Sequence, residues 1–109
     1  MDRDYYERLL EAVNATYGEE LEEQEREWDT MDDFMRTEFL AVDLVDAERR
    51  LGILEDAAER DALPPDLLPV LSRVQEMARA AQLRIQALQE RMAARHEQAA
   101  AVHMGFDRQ

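Results

Sequence analysis

Residues 67–106 read LLPVLSRVQEMARAAQLRIQALQERMAARHEQAAAVHMGF, and this stretch decides the fold. Two residue columns repeat through it with a period of seven, and only Arg95 interrupts their apolar character. The first column is Leu71, Ala78, Ile85, Met92, Ala99 and Phe106, and the second is Leu67, Val74, Ala81, Leu88, Arg95 and Val102. These are the a and d positions of a heptad, so the pattern predicts one long amphipathic helix with a narrow apolar seam. Such a seam must pack against other helices.

The composition of the chain favours helices throughout. Its 109 residues predict one helical domain over 1–109, and 46% of them are apolar while only 6% are aromatic. Cysteine is absent, which excludes a disulfide framework and a thiolate metal site. No apolar run approaches the ~20 residues of a membrane span, and the first residues lack the pattern of a secretory signal. We therefore expect a cytoplasmic protein with no membrane partner.

Acidic residues are concentrated in the first half of the chain. Residues 1–63 carry 21 acids and 7 arginines, a net charge of −14, whereas residues 64–109 carry 5 acids and 6 arginines, a net charge of +1. A chain with a net charge of −13 repels phosphates, so we expect no nucleic-acid partner. The charge favours neutral or basic protein partners instead.

Two interruptions divide the chain into three predicted helices, at approximately 4–27, 30–58 and 66–103. Near Trp28, Asp29 or Thr30 is suited to capping a new helix, although a single helix over 4–58 stays open. Later, Pro65 forces its predecessor out of the α region, so the chain reverses there. The predicted fold is all-α, an antiparallel helical bundle or hairpin of two to three long helices with coiled-coil-like packing.

The second predicted helix has an apolar side that is wider than a coiled-coil seam requires. Two columns cover close to half of its circumference. One is Met31, Met35, Phe39, Val42 and Val45, and the other is Phe34, Ala41, Leu44, Leu51 and Leu54. The width predicts a helix in the middle of the bundle that contacts two neighbours.

The sequence shows no catalytic or metal-binding constellation. His96 and His103 share one heptad column, but seven residues of helix separate them by ~10 Å, too far to share one metal ion. No Glu-x-x-His spacing of the helical di-iron type occurs in the chain. No residue pattern pairs a nucleophile with a base. We expect no cofactor, no metal and no enzymatic activity.

Four short segments resemble flagellar export chaperones of the FliT and FlgN type. They are REWDTMDDFM at 26–35, LPPDLL at 63–68, QLRIQALQERM at 82–92 and GFDR at 105–108. Those chaperones are of similar length, acidic and all-helical, and often show a Glu-Trp-Asp start to the second helix. They often carry a tyrosine near the C-terminus, where this chain has Phe106.

The resemblance implies a cytoplasmic chaperone that holds the amphipathic helical terminus of a flagellar cap or hook-associated subunit before export. Such a partner would dock as a helix in an apolar groove. The end of the third helix is expected to extend beyond its partners within the chain. The expected partner-binding residues are therefore Ile85, Leu88, Met92, Val102 and Phe106.

Two other functions are compatible with the same residues. The first is an acidic inhibitor that imitates nucleic acid and binds a basic protein, with an affinity that collapses in salt. The second is a homo-oligomeric coiled-coil adaptor, such as a homodimer formed through the seam. The sequence leaves open whether the seam is filled within the chain or by a partner.

Overall fold

A computed structural model describes the backbone of residues 2–107 and the side chains of residues 2–98. The α-helices are α1 Asp2–Ala15, α2 Leu21–Glu27, α3 Asp33–Glu38, α4 Leu44–Glu59 and α5 Leu68–Asp107. Two π-helical segments, Thr16–Glu20 and Phe39–Asp43, join α1 to α2 and α3 to α4. Two 3-10 turns, Trp28–Thr30 and Pro65–Leu67, follow α2 and precede α5. The chain thus forms three rods, which we call the first (2–30), second (33–59) and third (65–107).

The prediction of an all-α bundle of long helices is confirmed, and no strand occurs within residues 2–107. The chain breaks next to Trp28, as expected, but the predicted cap at Asp29 or Thr30 is wrong. The carboxylate of Asp32 caps α3 by accepting from the Met35 amide at 2.8 Å. Thr30 is unavailable because its hydroxyl donates back to the Glu27 carbonyl at 2.9 Å, closing the preceding helix.

The second rod ends in a left-handed turn before the proline pair. Asp61 has a φ of 57°, a conformation that aspartate adopts more readily than most residues. The Ala62 amide then donates to the Ala57 carbonyl at 2.8 Å, as in a Schellman-type helix end. This turn reverses the chain and sends the third rod back along the second.

Polar contacts show that the first and third rods run parallel. Near one end, Arg3 donates to Asp66 at 2.9 Å, and further along, Arg84 donates to Glu25 at 3.0 Å. The partners are separated by 63 and 59 residues of sequence, so they advance together along both rods. The two rods therefore lie side by side and run in the same direction from Asp66 to Arg84.

The second rod runs antiparallel to the third. Near the start of the third rod, Gln75 donates to Glu55 at 2.9 Å. Much further along it, His96 lies 4.0 Å from Asp33, at the opposite end of the second rod. The first and third rods of the bundle are therefore parallel, and the second rod runs in the opposite direction.

The heptad seam of the third rod is filled within the chain as far as Met92. Its buried members are Leu67, Leu71, Val74, Ala78, Ala81, Ile85, Leu88 and Met92. The same core contains buried residues of the other two rods, which are Tyr6, Leu10, Val13, Tyr17, Leu21, Trp28, Phe39, Leu44, Ala47, Leu54 and Ala57. Burial of this shared apolar surface is the main force that holds the rods together.

The third rod is longer than the two rods it packs against. Its contacts with the turn between them reach His96, yet its backbone stays helical to Asp107. At 1.5 Å per residue this continuation adds about 16 Å. The overall dimensions, 66 × 24 × 22 Å, agree with one long helix that projects from a short bundle.

Two leucines on the third rod test this arrangement. Leu88 is 2% exposed and Leu83 is 78% exposed. We expect Leu88→Ala to lower the free energy of unfolding by about 3 kcal/mol, because it opens a cavity in the core. Leu83→Ala should change it by less than about 0.5 kcal/mol. Urea unfolding followed by far-UV circular dichroism measures both, and equal losses would contradict the register of the seam.

Candidate helix-binding surface

The residues predicted to bind a partner are divided between the core and the end of the chain. Ile85, Leu88 and Met92 are buried against the first two rods, so a partner could reach them only if the third rod moved. Val102 and Phe106 lie outside the described side chains. Their role in partner binding stays a prediction.

The turn between the first and second rods, which we call the apex, is built on Trp28. Its side chain is fully buried, and Arg36 beside it is only 3% exposed. The Arg36 Nε donates to the Trp28 carbonyl at 2.7 Å, and its Nη1 bonds to the Asp33 carboxylate at 2.9 Å. The guanidinium also lies 6.0 Å from the centre of the tryptophan ring, within cation–π range. A charged side chain is tolerated inside the bundle because each of these contacts compensates its lost hydration.

The third rod is fastened to the apex through Asp29. The Asp29 carboxylate accepts from Arg91 and from Arg95, the latter at 3.3 Å. These hydrogen bonds, that of Arg91 first, hold the pKa of Asp29 below its usual value. Arg95 is the one residue that interrupts the heptad, and here it reaches the apex where the core ends. The charge of Arg95 therefore has a structural role, which is to bind Asp29 at the apex.

Next to the apex, the second rod exposes a group of large apolar side chains. Phe34 is 75% exposed, Met35 49%, Val42 55% and Val45 54%. Glu38 lies one turn after Phe34 in α3, and Val42 and Val45 follow at and after the end of the π-helical segment. We call Phe34, Met35, Val42 and Val45 the outer stripe. It lies on the side of the second rod that faces away from the core.

The π-helical segment explains why Val42 lies outside. Phe39 and Leu44 are both buried although they are five residues apart, which the wider turn of Phe39–Asp43 permits. The extra residue shifts Val42 out of the column that regular α-helical spacing assigns to it. The prediction that both apolar columns pack against neighbours is wrong for Met35, Val42 and Val45 in the first column and for Phe34 and Ala41 in the second, since all five are exposed.

A single exposed apolar residue would need no explanation, but a group of four does. Leu83 on the third rod is equally exposed, yet the residues three and four positions away are Arg79, Ala80, Gln86 and Ala87. Isolated residues of this kind are common on protein surfaces, whereas contiguous apolar patches mark interaction sites. The sequence signal for the outer stripe was the excess width of the apolar side of this helix.

The described part of the chain offers little for other kinds of site. No helix within residues 2–107 is sufficiently apolar over the length needed to cross a bilayer. Among the described side chains, no group of three histidine, aspartate or glutamate residues is arranged to hold a metal ion. The outer stripe is the feature that these residues present most clearly.

Comparison with known proteins adds no relative: no family model matches the chain, and no curated protein or solved structure matches it significantly. The likeness to flagellar export chaperones therefore rests on the residues quoted above.

The contacts at the apex predict that Arg36 stabilises the bundle. We expect Arg36→Met to lower the free energy of unfolding by about 2 kcal/mol, because a buried carbonyl loses its charged donor. Arg26→Met, on the exposed side of α2, is the matched control and should change it by less than about 0.5 kcal/mol. Urea unfolding of both variants decides the matter. Indistinguishable stabilities would show that Arg36 contributes no more than a surface arginine.

Proposed function

We propose that this protein is a cytoplasmic helix-binding chaperone that holds the amphipathic helical terminus of an exported flagellar subunit. The observation that supports the proposal best is the outer stripe, an exposed group of large apolar side chains on a folded bundle. The resemblance to flagellar export chaperones gives the class of partner, a cap or hook-associated subunit.

The shape of the stripe suits a helix. From Phe34 to Val45 it covers about 17 Å, or three helical turns. An amphipathic helix presents its apolar anchors along one face, and the stripe offers exposed apolar side chains over a comparable length. An extended peptide would find no free backbone hydrogen-bonding groups on this regular helix, so side-chain packing must supply the affinity.

Binding of a partner at the stripe would also leave the core intact. Binding through Ile85, Leu88 and Met92 would cost the burial of the whole seam, whereas binding at the stripe costs none. Phe34 lies at the apex end of the second rod, the end from which the third rod projects. A partner helix that continued past Phe34 would run towards the segment that contains Val102 and Phe106.

The acidic first half has a role within the chain. Glu25 and Asp29 bind Arg84 and Arg91, which ties the first rod and the apex to the third rod. Part of the acidity thus has a structural role, so it does not by itself require a nucleic-acid mimic. That function and the self-associating adaptor are alternative outcomes of the following test.

Capture from a lysate of the source organism tests the proposal with matched variants. The double variant Phe34→Asp, Val42→Asp places two carboxylates on the stripe, and Leu83→Asp places one carboxylate at an exposed apolar site elsewhere. We expect an exported flagellar subunit to stay bound to the wild type at high salt, because apolar contacts resist screening. The double variant should capture about tenfold less, equivalent to 1.4 kcal/mol.

The matched control, Leu83→Asp, should capture as well as the wild type, with circular dichroism confirming that both variants fold. A basic nucleic-acid-binding partner that high salt releases would overturn the proposal in favour of the mimic. Recovery of the protein alone, as an oligomer, would favour the adaptor.

A further inference from the structure

The outer stripe carries one charged residue at its centre. Glu38 lies four residues after Phe34 and four before Val42, and its side chain is exposed. A partner helix that covered both apolar neighbours would also cover this carboxylate. The partner must therefore supply a group that compensates the negative charge of Glu38.

No described cation neutralises Glu38. Arg36, two residues before it, is turned into the core and bound to Trp28 and Asp33. Arg49 and Arg50 both bind the Asp46 carboxylate, at 2.8 and 3.0 Å. Among residues 2–98, no ion pair within 4.0 Å involves Glu38.

The surroundings of the stripe are also acidic. Asp32 and Asp33 precede Phe34, and Asp43 follows Val42. Of these three carboxylates, only that of Asp33 binds an arginine. Carboxylates without an arginine partner near the stripe favour a basic partner surface over an acidic one.

Covering an ionised carboxylate with an apolar surface is costly. The effective penalty for removing one ion from water is several kcal/mol, unless an opposite charge compensates it. Resting on the function proposed above, we propose that the partner helix carries an arginine or lysine within its apolar side, placed against Glu38. Its apolar anchors, three to four residues on either side of that cation, would then meet Phe34 and Val42.

The acidic side chains around the stripe also disfavour a second copy of this chain as its occupant. A twofold pairing of two outer stripes brings identical surfaces together, so acidic side chains would face acidic side chains. Each copy also has a net charge of −13. The stripe therefore fits a basic partner helix better than it fits itself.

Synthetic helices test the inference without knowledge of the natural partner. Three fluorescent peptides of about 18 residues, or five turns, share one leucine face and differ at its central position, which is Arg, Gln or Glu. We expect the Arg peptide to bind the wild-type protein about tenfold more tightly than the Glu peptide, by anisotropy titration. The Gln peptide should lie between them.

Two variants reveal whether Glu38 is the cause. Glu38→Arg should reverse the order of the peptides, and Glu38→Gln should remove the preference. Glu59→Arg is the control, since Glu59 is an exposed acid on the same rod, far from the stripe, and its replacement changes the net charge equally. It should keep the wild-type order. The same shift in Glu38→Arg and Glu59→Arg would overturn the inference, because net charge alone would then explain it.

The outcome also separates this inference from the proposed function. Equal binding of all three peptides to the wild type, abolished by Phe34→Asp, would overturn the role of Glu38 and leave helix binding at the stripe intact. Failure of every peptide to bind, or binding that Phe34→Asp does not weaken, would overturn both.

Discussion

Packing of the third rod's seam against the first two rods is the interaction on which the rest of the structure depends. From Leu67 to Met92 every a and d position is buried within the chain. A protein of this size buries only about two thirds of its unfolded surface, so this one seam supplies much of its stability. Because the seam is satisfied internally, its a and d residues as far as Met92 are not accessible to a partner. Of the large apolar side chains that stay exposed among the described residues, most belong to the second rod.

The apex decides where the core stops and where the exposed surface begins. The first rod ends in the turn that contains Trp28. Arg36 of the second rod donates a hydrogen bond to the Trp28 carbonyl, and Asp29 accepts hydrogen bonds from two arginines of the third rod. Phe34 and Met35 follow directly after this closed junction, but they face away from it. The contacts of the apex are thus complete without Phe34 and Met35, which stay exposed beside it.

The sequence predicted the parts of the fold that regular periodicity governs. The heptad from Leu67 to Met92 identified the seam, and the composition around Trp28 and Pro65 identified both breaks. It did not reveal the π-helical segment Phe39–Asp43, because one additional residue in a turn leaves no mark in composition. Since that segment rotates Val42 outwards, the outer stripe could not be placed from the sequence.

Other misses have the same physical origin in tertiary contacts. Arg36 looks like a surface residue in the sequence, and only the position of the Trp28 carbonyl explains its burial. The expected partner-binding residues were chosen because the end of the third helix was expected to extend beyond its partners within the chain. The structure buries Ile85, Leu88 and Met92 and carries the contacts of the third rod to His96, whereas binding of a partner stays a prediction. Helix lengths from sequence are accurate to a few residues, and those few residues decide which side chains are covered.

Hydrogen exchange of the chain, alone and in complex with its captured partner, shows most directly whether a partner helix binds the outer stripe while the third rod stays in place. We predict slower amide exchange across residues 34–45 in the complex and unchanged exchange across residues 81–92. Faster exchange across 81–92, with no change at 34–45, would contradict this prediction and show that the partner displaces the third rod from the core.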